Sequence, residues 1–159
     1  GKKGGLSLEG CFESFTTTEV LSEEDTWYCP KCKQHQRASK TMALWTAPSN
    51  LVVHLKRFSH EESWRREKLD THVEFPLHGL DLSPYVRCPS PSPLVYDLCG
   101  VTNHFGSTHG GHYTAYCKSP VDQKWHLFDD SSVSNAPAES VCTSSAYVLF
   151  YKRRDGANA

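Results

Sequence analysis

The sequence predicts an α+β fold built mostly from antiparallel strands. Runs rich in β-branched and aromatic residues recur between turn-forming segments, the clearest being Leu51–Phe58, Val95–Phe105 and Ala146–Lys152. Helical spacing is confined to a short stretch near the start and a turn around Pro137–Cys142. Many strands with few helices is the α+β pattern. The length of 159 residues, with 38% hydrophobic and 22% charged, suits one globular domain or a large piece of one.

The elements follow in order. Gly1–Gly5 reads as a flexible end or linker. Ser7–Phe15 reads as a helix, with Ser7 as N-cap and Leu8, Cys11, Phe12 and Phe15 on one face. Thr16–Asp25 is polar and connecting. Trp27–Trp45 reads as two strands around a polar tip that carries Cys29 and Cys32. Leu51–Phe58 reads as a buried strand, with His54 and Lys56 on a face open to solvent. Ser59–Thr71 is a charge-rich loop in which Trp64 is a candidate partner contact, and His72–Pro76 is a short strand. Pro84–Pro93 holds too many prolines for a central strand. From Leu94 the chain is mainly β: a strand over Val95–Phe105, a Gly-rich loop over Gly106–Gly111, a hairpin, and the strand Ala146–Lys152. Trp27, Trp45 and Trp125 are expected to pack in the sheet or core, and residues 154–159 to fray.

Charge excludes some functions. Lys+Arg is 17 against Asp+Glu 18, so no net field favours nucleic acid or an anionic membrane. Glu61, Glu62 and Glu67 dilute the basic pairs Lys56-Arg57 and Arg65-Arg66, and a solvated loop is the expectation there. No apolar run approaches a membrane span. Cys is 7, an odd number, with no Asn-x-Ser/Thr acceptor; reduced thiols in the cytosol or nucleus are expected, not a secreted disulfide framework.

The hairpin His112–Asp130 carries the chemistry. A loop over Ser119–Asp122 would pair Lys118 with Gln123, Tyr116 with Trp125, Thr114 with Leu127 and His112 with Asp129. Directly opposite residues have Cβ atoms about 4.5–5.5 Å apart, which brings imidazole and carboxylate into hydrogen-bonding range. The carboxylate fixes the tautomer and favours the imidazolium, so the other ring nitrogen can take a proton from a nucleophile. Asp130 is a further orienter if the strand twists or bulges. The pairing alone equally suits an ordinary surface ion pair, worth about 0–1 kcal/mol. Glycines at Gly110 and Gly111 let the backbone before His112 turn sharply and approach another chain closely.

Cys29-Pro-Lys-Cys32 makes a tight knuckle able to supply half of a tetrahedral Zn²⁺ shell. A structural site wants four ligands. His35 is the nearest third candidate, although a solvated polar role suits it as well.

These motifs resemble the His-box half of the ubiquitin-specific proteases. The matching segments are Tyr96-Asp-Leu-Cys-Gly-Val-Thr-Asn-His-Phe-Gly106, Gly110-Gly-His-Tyr-Thr-Ala-Tyr116, Trp125-His-Leu-Phe-Asp-Asp-Ser-Ser-Val133 and Ala146-Tyr-Val-Leu-Phe-Tyr151. Upstream, Leu6-Ser-Leu-Glu-Gly-Cys-Phe12, Trp27-Tyr-Cys-Pro-Lys-Cys32 and Leu51-Val-Val-His-Leu-Lys-Arg-Phe58 are similar to that family in the same order. The resemblance implies a papain-like cysteine-peptidase fold over residues 6–153, with a zinc-finger-like hairpin at about 26–46 and a His-box sheet at 94–152. It implies hydrolysis of isopeptide or peptide bonds at the ubiquitin C-terminus, with His112 as general base and Asp129 as its orienter, assisted by Asp130. Gly106, His109, Gly110, Gly111 and Tyr113 would belong to a gating loop over the ubiquitin tail, and His104 flanks it. No catalytic cofactor is expected. Zinc would be structural, held by Cys29 and Cys32 with further ligands from elsewhere in the domain.

The family's nucleophilic Cys lies in a Gly-x-x-x-Asn/Asp-x-x-x-x-Cys box that this sequence does not contain. Cys11 follows Gly10 near a helix start, but its spacing makes it a core position; Cys88, Cys99, Cys117 and Cys142 have no activating context. The expectation is a chain that supplies base and orienter to a thiol from an N-terminal half, with ubiquitin and ubiquitinated proteins as partners, in the cytoplasm or nucleus. The alternative is a catalytically inactive ubiquitin-binding or scaffolding module.

Overall fold

The computed structural model describes residues 6–58, 68–107 and 110–154. In chain order the elements are β1 (Leu6–Ser7), α1 (Leu8–Thr16), β2 (Glu19–Val20), β3 (Trp27–Cys29), β4 (Gln34–Gln36), β5 (Ser39–Lys40), β6 (Asn50–His54), β7 (Val73–Glu74) and β8 (Leu80–Asp81). Then come β9 (Val95–Ser107), β10 (Gly110–Lys118), β11 (Trp125–Asp129), β12 (Ser132–Ala136), a 3₁₀ turn (Ala138–Ser140) and β13 (Ala146–Arg153).

One sheet organises the chain, in the order β12-β11-β10-β9-β13-β6, with β8 pairing the start of β9. All its pairings are antiparallel. β9 is the spine: β10 runs along one edge and β13 along the other. The core collects on it. Leu98 and Val101 of β9, Leu149 and Tyr151 of β13, Trp125 of β11 and Leu8 of α1 are all buried in one cluster. Burying side chains of this size stabilises by roughly 1.5–3 kcal/mol each. The two deepest tyrosines keep their hydroxyls satisfied, Tyr96 donating to the Pro48 carbonyl at 2.5 Å and Tyr151 to that of Pro76 at 2.7 Å.

Ser7 caps α1 as the sequence predicts, its hydroxyl accepting from the Gly10 amide at 3.1 Å. Leu8, Cys11 and Phe12 face the core, and Phe12 stacks on Tyr85. Phe15 does not join them; it is exposed. Leu51–Phe58 also differs from a uniformly buried strand. Its ladder ends at His54, and the residues alternate: Leu51, Val53, Leu55 and Arg57 face inward while Val52, His54 and Lys56 face out.

Other differences are local. Thr16–Asp25 contains β2, which pairs β5, so the expected Trp27–Trp45 hairpin is only β3 against β4, with a separate two-strand contact beside it. Trp125 is buried as expected, but Trp27 and Trp45 are exposed. β8 and β12, both short and polar-flanked, gave no periodic signal. Trp64, Arg65 and Arg66 lie outside the described residues. No helix among the described residues is long and apolar enough to cross a membrane.

Candidate active site

His112 sits in β10 and Asp129 ends β11, but not in the expected register. The ladder pairs Lys118 with Trp125, Tyr116 with Leu127 and Ala115 with Phe128, so the connection spans Ser119–Lys124. A backbone bond from the Ser119 amide to the Lys124 carbonyl closes it at 2.8 Å, and Gln123 takes a positive φ of 59°. Continued upward, this register sets Asp129 opposite Thr114, with His112 on the diagonal. Diagonal same-face neighbours remain within reach of long side chains. His112 Nε2 accordingly lies 2.5 Å from Asp129 Oδ1. Both side chains are about half exposed, 48% and 49%.

Asp130 joins them by a different route. The β11–β12 ladder ends at Asp129↔Ser132, which puts Asp130 at the tip of the reversal. Its φ of 48° is left-handed, a conformation that Asp tolerates better than most residues. The turn brings its carboxylate back to the others, and the ligating atoms of His112, Asp129 and Asp130 all lie within 4.8 Å of one another.

The Gly-rich segment differs from the expected loop. Gly106 pairs with Gly111 and Ser107 with Gly110, so these glycines are strand residues. Gly106 and Gly111 are required by close approach. Gly106 has a φ of 104°, and a Cβ there would meet the Gly110 carbonyl at 2.5 Å; one on Gly111 would meet the Phe105 carbonyl at 2.5 Å. His109 lies outside the described residues. Tyr113 is exposed on the face opposite His112, and its ring lies 4.7 Å from that of His104.

Four polar residues are buried, and their roles were not read from sequence: Arg57, Asn103, His104 and Thr114. Asn103 donates to Thr114 Oγ1 at 3.2 Å across the β9–β10 pair. An Asn in the middle of an apolar strand was the signal available. Arg57, expected in a solvated basic patch, instead donates to the carbonyls of Ala146 (2.7 Å), Leu69 (2.9 Å) and Thr71 (2.8 Å). Its alternation with Leu55 could have shown this. Burial pulls the His104 imidazole below its ordinary range, and nearby Lys68 adds to that.

The thiols divide clearly. The cysteines are free. Burial pushes those of Cys11, Cys99, Cys117 and Cys142 up, away from thiolate. Cys29 goes the other way. The backbone amides of Cys32 and Lys31 hydrogen-bond its sulfur and hold it below the usual thiol range. Lys33, at φ 56°, completes the knuckle by donating its amide to the Cys29 carbonyl at 2.8 Å. That donor set suits a metal thiolate. His35 turns away to Tyr28 and Thr26. Among the described residues no third ligand joins Cys29 and Cys32 in a cluster.

Comparison with known proteins agrees with this architecture. The family model described as "Ubiquitin carboxyl-terminal hydrolase" matches residues 11–151. Ubiquitin carboxyl-terminal hydrolase 4 of Bos taurus is 55% identical over 97% of this chain, and ubiquitin carboxyl-terminal hydrolase 15 of Homo sapiens is 51% identical over the same share. The chain spans 16% of the length of each. Among solved structures, the SAGA Ubp8/Sgf11/Sus1/Sgf73 DUB module bound to ubiquitin aldehyde matches with a TM-score of 0.81 and 34% identity, covering 97% of this chain and 35% of that one. The Ubp8-Sgf11-Sgf73-Sus1 SAGA DUB module matches with a TM-score of 0.78 and 34% identity, over 95% of this chain and 32% of that one. The chain has the α+β, papain-like fold of these enzymes and belongs to the ubiquitin carboxyl-terminal hydrolase family, in its ubiquitin-specific protease branch.

Proposed function

We propose that this chain is the base-bearing part of a thiol-dependent deubiquitinase. The observation that carries the proposal is the 2.5 Å contact between His112 Nε2 and Asp129 Oδ1. With Nε2–H donating to Asp129, Nδ1 is the nitrogen that accepts a thiol proton. The nucleophilic cysteine belongs to a part of the protein outside this sequence. Its thiolate attacks the carbonyl of ubiquitin's C-terminal glycine, and the His112 imidazolium returns the proton to the leaving lysine amine. The resulting thioester is then hydrolysed by a water that His112 deprotonates. Asp129 orients the ring and stabilises its cation, and Asp130 adds negative charge beside it.

Ubiquitin conjugates are the substrates, a reading supported by the ubiquitin aldehyde bound to the SAGA relative. The strand-end residues Gly106, Gly110 and Gly111, with Tyr113, contact the ubiquitin tail. Cys29 and Cys32 hold half the shell of a structural zinc, whose other ligands come from outside the described residues. The protein acts inside the cell, in cytoplasm or nucleus.

The test is reaction of the full-length protein with ubiquitin carrying a thiol-reactive C-terminus. His112→Ala should slow labelling on the order of 10³-fold or more. Labelling of His112→Ala at the wild-type rate would remove His112 as base. Tight ubiquitin binding without labelling of the wild type would identify a binding module instead.

A further inference from the structure

We infer that His104 is a positioning residue for the general base, its buried ring walling the glycine backbone that carries His112. The inference rests on the deubiquitinase reading above.

His104 lies in β9 opposite Tyr113 and is only 4% exposed. Aromatic rings surround it, with centroids at 4.7 Å for Tyr113, 5.7 Å for Phe58 and 5.8 Å for Tyr147. Its backbone is pinned as well. The amide donates to the Ser145 carbonyl at 2.9 Å, and the carbonyl accepts from Lys68 Nζ at 2.7 Å. The ring therefore has a fixed place.

That place is against Gly111. A Cβ built there would run into His104 Nε2 and lie 3.1 Å from His104 Cδ2. Gly110 has open space on its side-chain side. Two successive glycines lead into His112 with no side chain of their own to hold them, and glycine is the least restrained residue. The His104 ring supplies that surface at Gly111. The His112–Asp129 contact orients the imidazole but does not reach the glycine backbone behind it.

A detail of the ring separates packing from polar chemistry. Nδ1 is buried and has no hydrogen-bond partner among the described residues. It contributes nothing that a hydrocarbon ring would lose. The flat shape is what matters, so phenylalanine should serve where alanine fails.

The experiment uses the full-length protein. Active sites are counted with the ubiquitin electrophile, and turnover is then measured on a ubiquitin-amide substrate. Per titrated site, His104→Ala should lower kcat about 10–100-fold, the scale of loss for displacing a catalytic group by about 1 Å. KM should stay within about threefold, since the displaced base acts in the chemical step and the loss falls on kcat. His104→Phe should restore most of the kcat. If His104→Ala does not fold, His104→Leu removes the flat ring and carries the same expectation. Unchanged kcat per titrated site, with only Tm lowered, would reduce His104 to a fold residue and overturn the inference. So would a His104→Phe enzyme as slow as His104→Ala, or a loss confined to KM. A wild-type protein inert to the ubiquitin electrophile would instead sink the deubiquitinase reading, and this inference with it.

Discussion

His112 and Asp129 meet although they are not partners in the ladder. The sequence expectation of direct pairing was off by two residues, because the polar Ser119–Lys124 segment carries no periodic signal and Gln123 takes a positive φ that its identity does not announce. The contact survives because the error is even. A shift of two keeps every side chain on its face, whereas a shift of one would have separated the pair. Asp130 was legible only as a possibility, since its reach depends on a left-handed φ at the hairpin tip. The two aspartates should separate by function. Asp129→Asn, which keeps the shape but weakens support for the imidazolium, should lower kcat on the order of 10²–10⁴-fold. Asp130→Ala, with Asp129 in place, should cost less, roughly 10-fold, as removal of a second nearby charge does. Steady-state turnover of the full-length protein checks both, and the reverse order would assign the orienting role to Asp130.

At the scale of elements, the buried side of Leu51–Phe58 explains how the sheet edge is held. Arg57 lies beyond the end of the β6 ladder, yet its guanidinium gathers carbonyls from β13 and from Leu69 and Thr71. Arg57→Met should destabilise the protein on the order of 2–4 kcal/mol by leaving these carbonyls without donors. Thermal denaturation reads it, and a change under about 0.5 kcal/mol would show that water replaces the donors. Alternation alone would have placed Arg57 inward; charge argued the other way, and hydrogen bonding decided. At the opposite end of β9, Asp97 accepts two bonds from Arg154, at 2.9 and 2.8 Å, and one from the Gly79 amide at 2.9 Å. Arg154 holds its carboxyl below the ordinary value of 3.8. A depressed carboxylate stabilises the fold above its unfolded pKa, and that contribution fades as pH falls through the folded value. Asp97→Asn should therefore lower Tm by a few degrees near neutral pH, with the gap closing below about pH 4. A gap that persists at low pH would mean packing, not charge, is what Asp97 supplies.

For the molecule as a whole, fold class and family were readable because they depend on ordered motifs and strand periodicity, which composition and spacing carry. The short pairings β2–β5 and β8–β9 were not, because strands of two residues leave no period to read. The chain spans 16% of the curated relatives named above, and the proposed chemistry draws on groups from outside this sequence. Zinc is the first such dependence. Full-length protein should hold about one zinc per chain, lost together in a Cys29→Ser/Cys32→Ser variant, as metal analysis of the purified protein would record. Unchanged zinc content in that variant would free the knuckle from any metal role.

The second dependence, in the proposed mechanism, is a thiol whose proton Nδ1 of His112 accepts. Nitrogen-15 NMR of the imidazole, in full-length protein above the pH at which the ring titrates, tests that arrangement most directly. The account predicts a neutral ring protonated on Nε2, with that preference lost in Asp129→Ala. A ring protonated on Nδ1, or a tautomer mixture indifferent to Asp129, would contradict it.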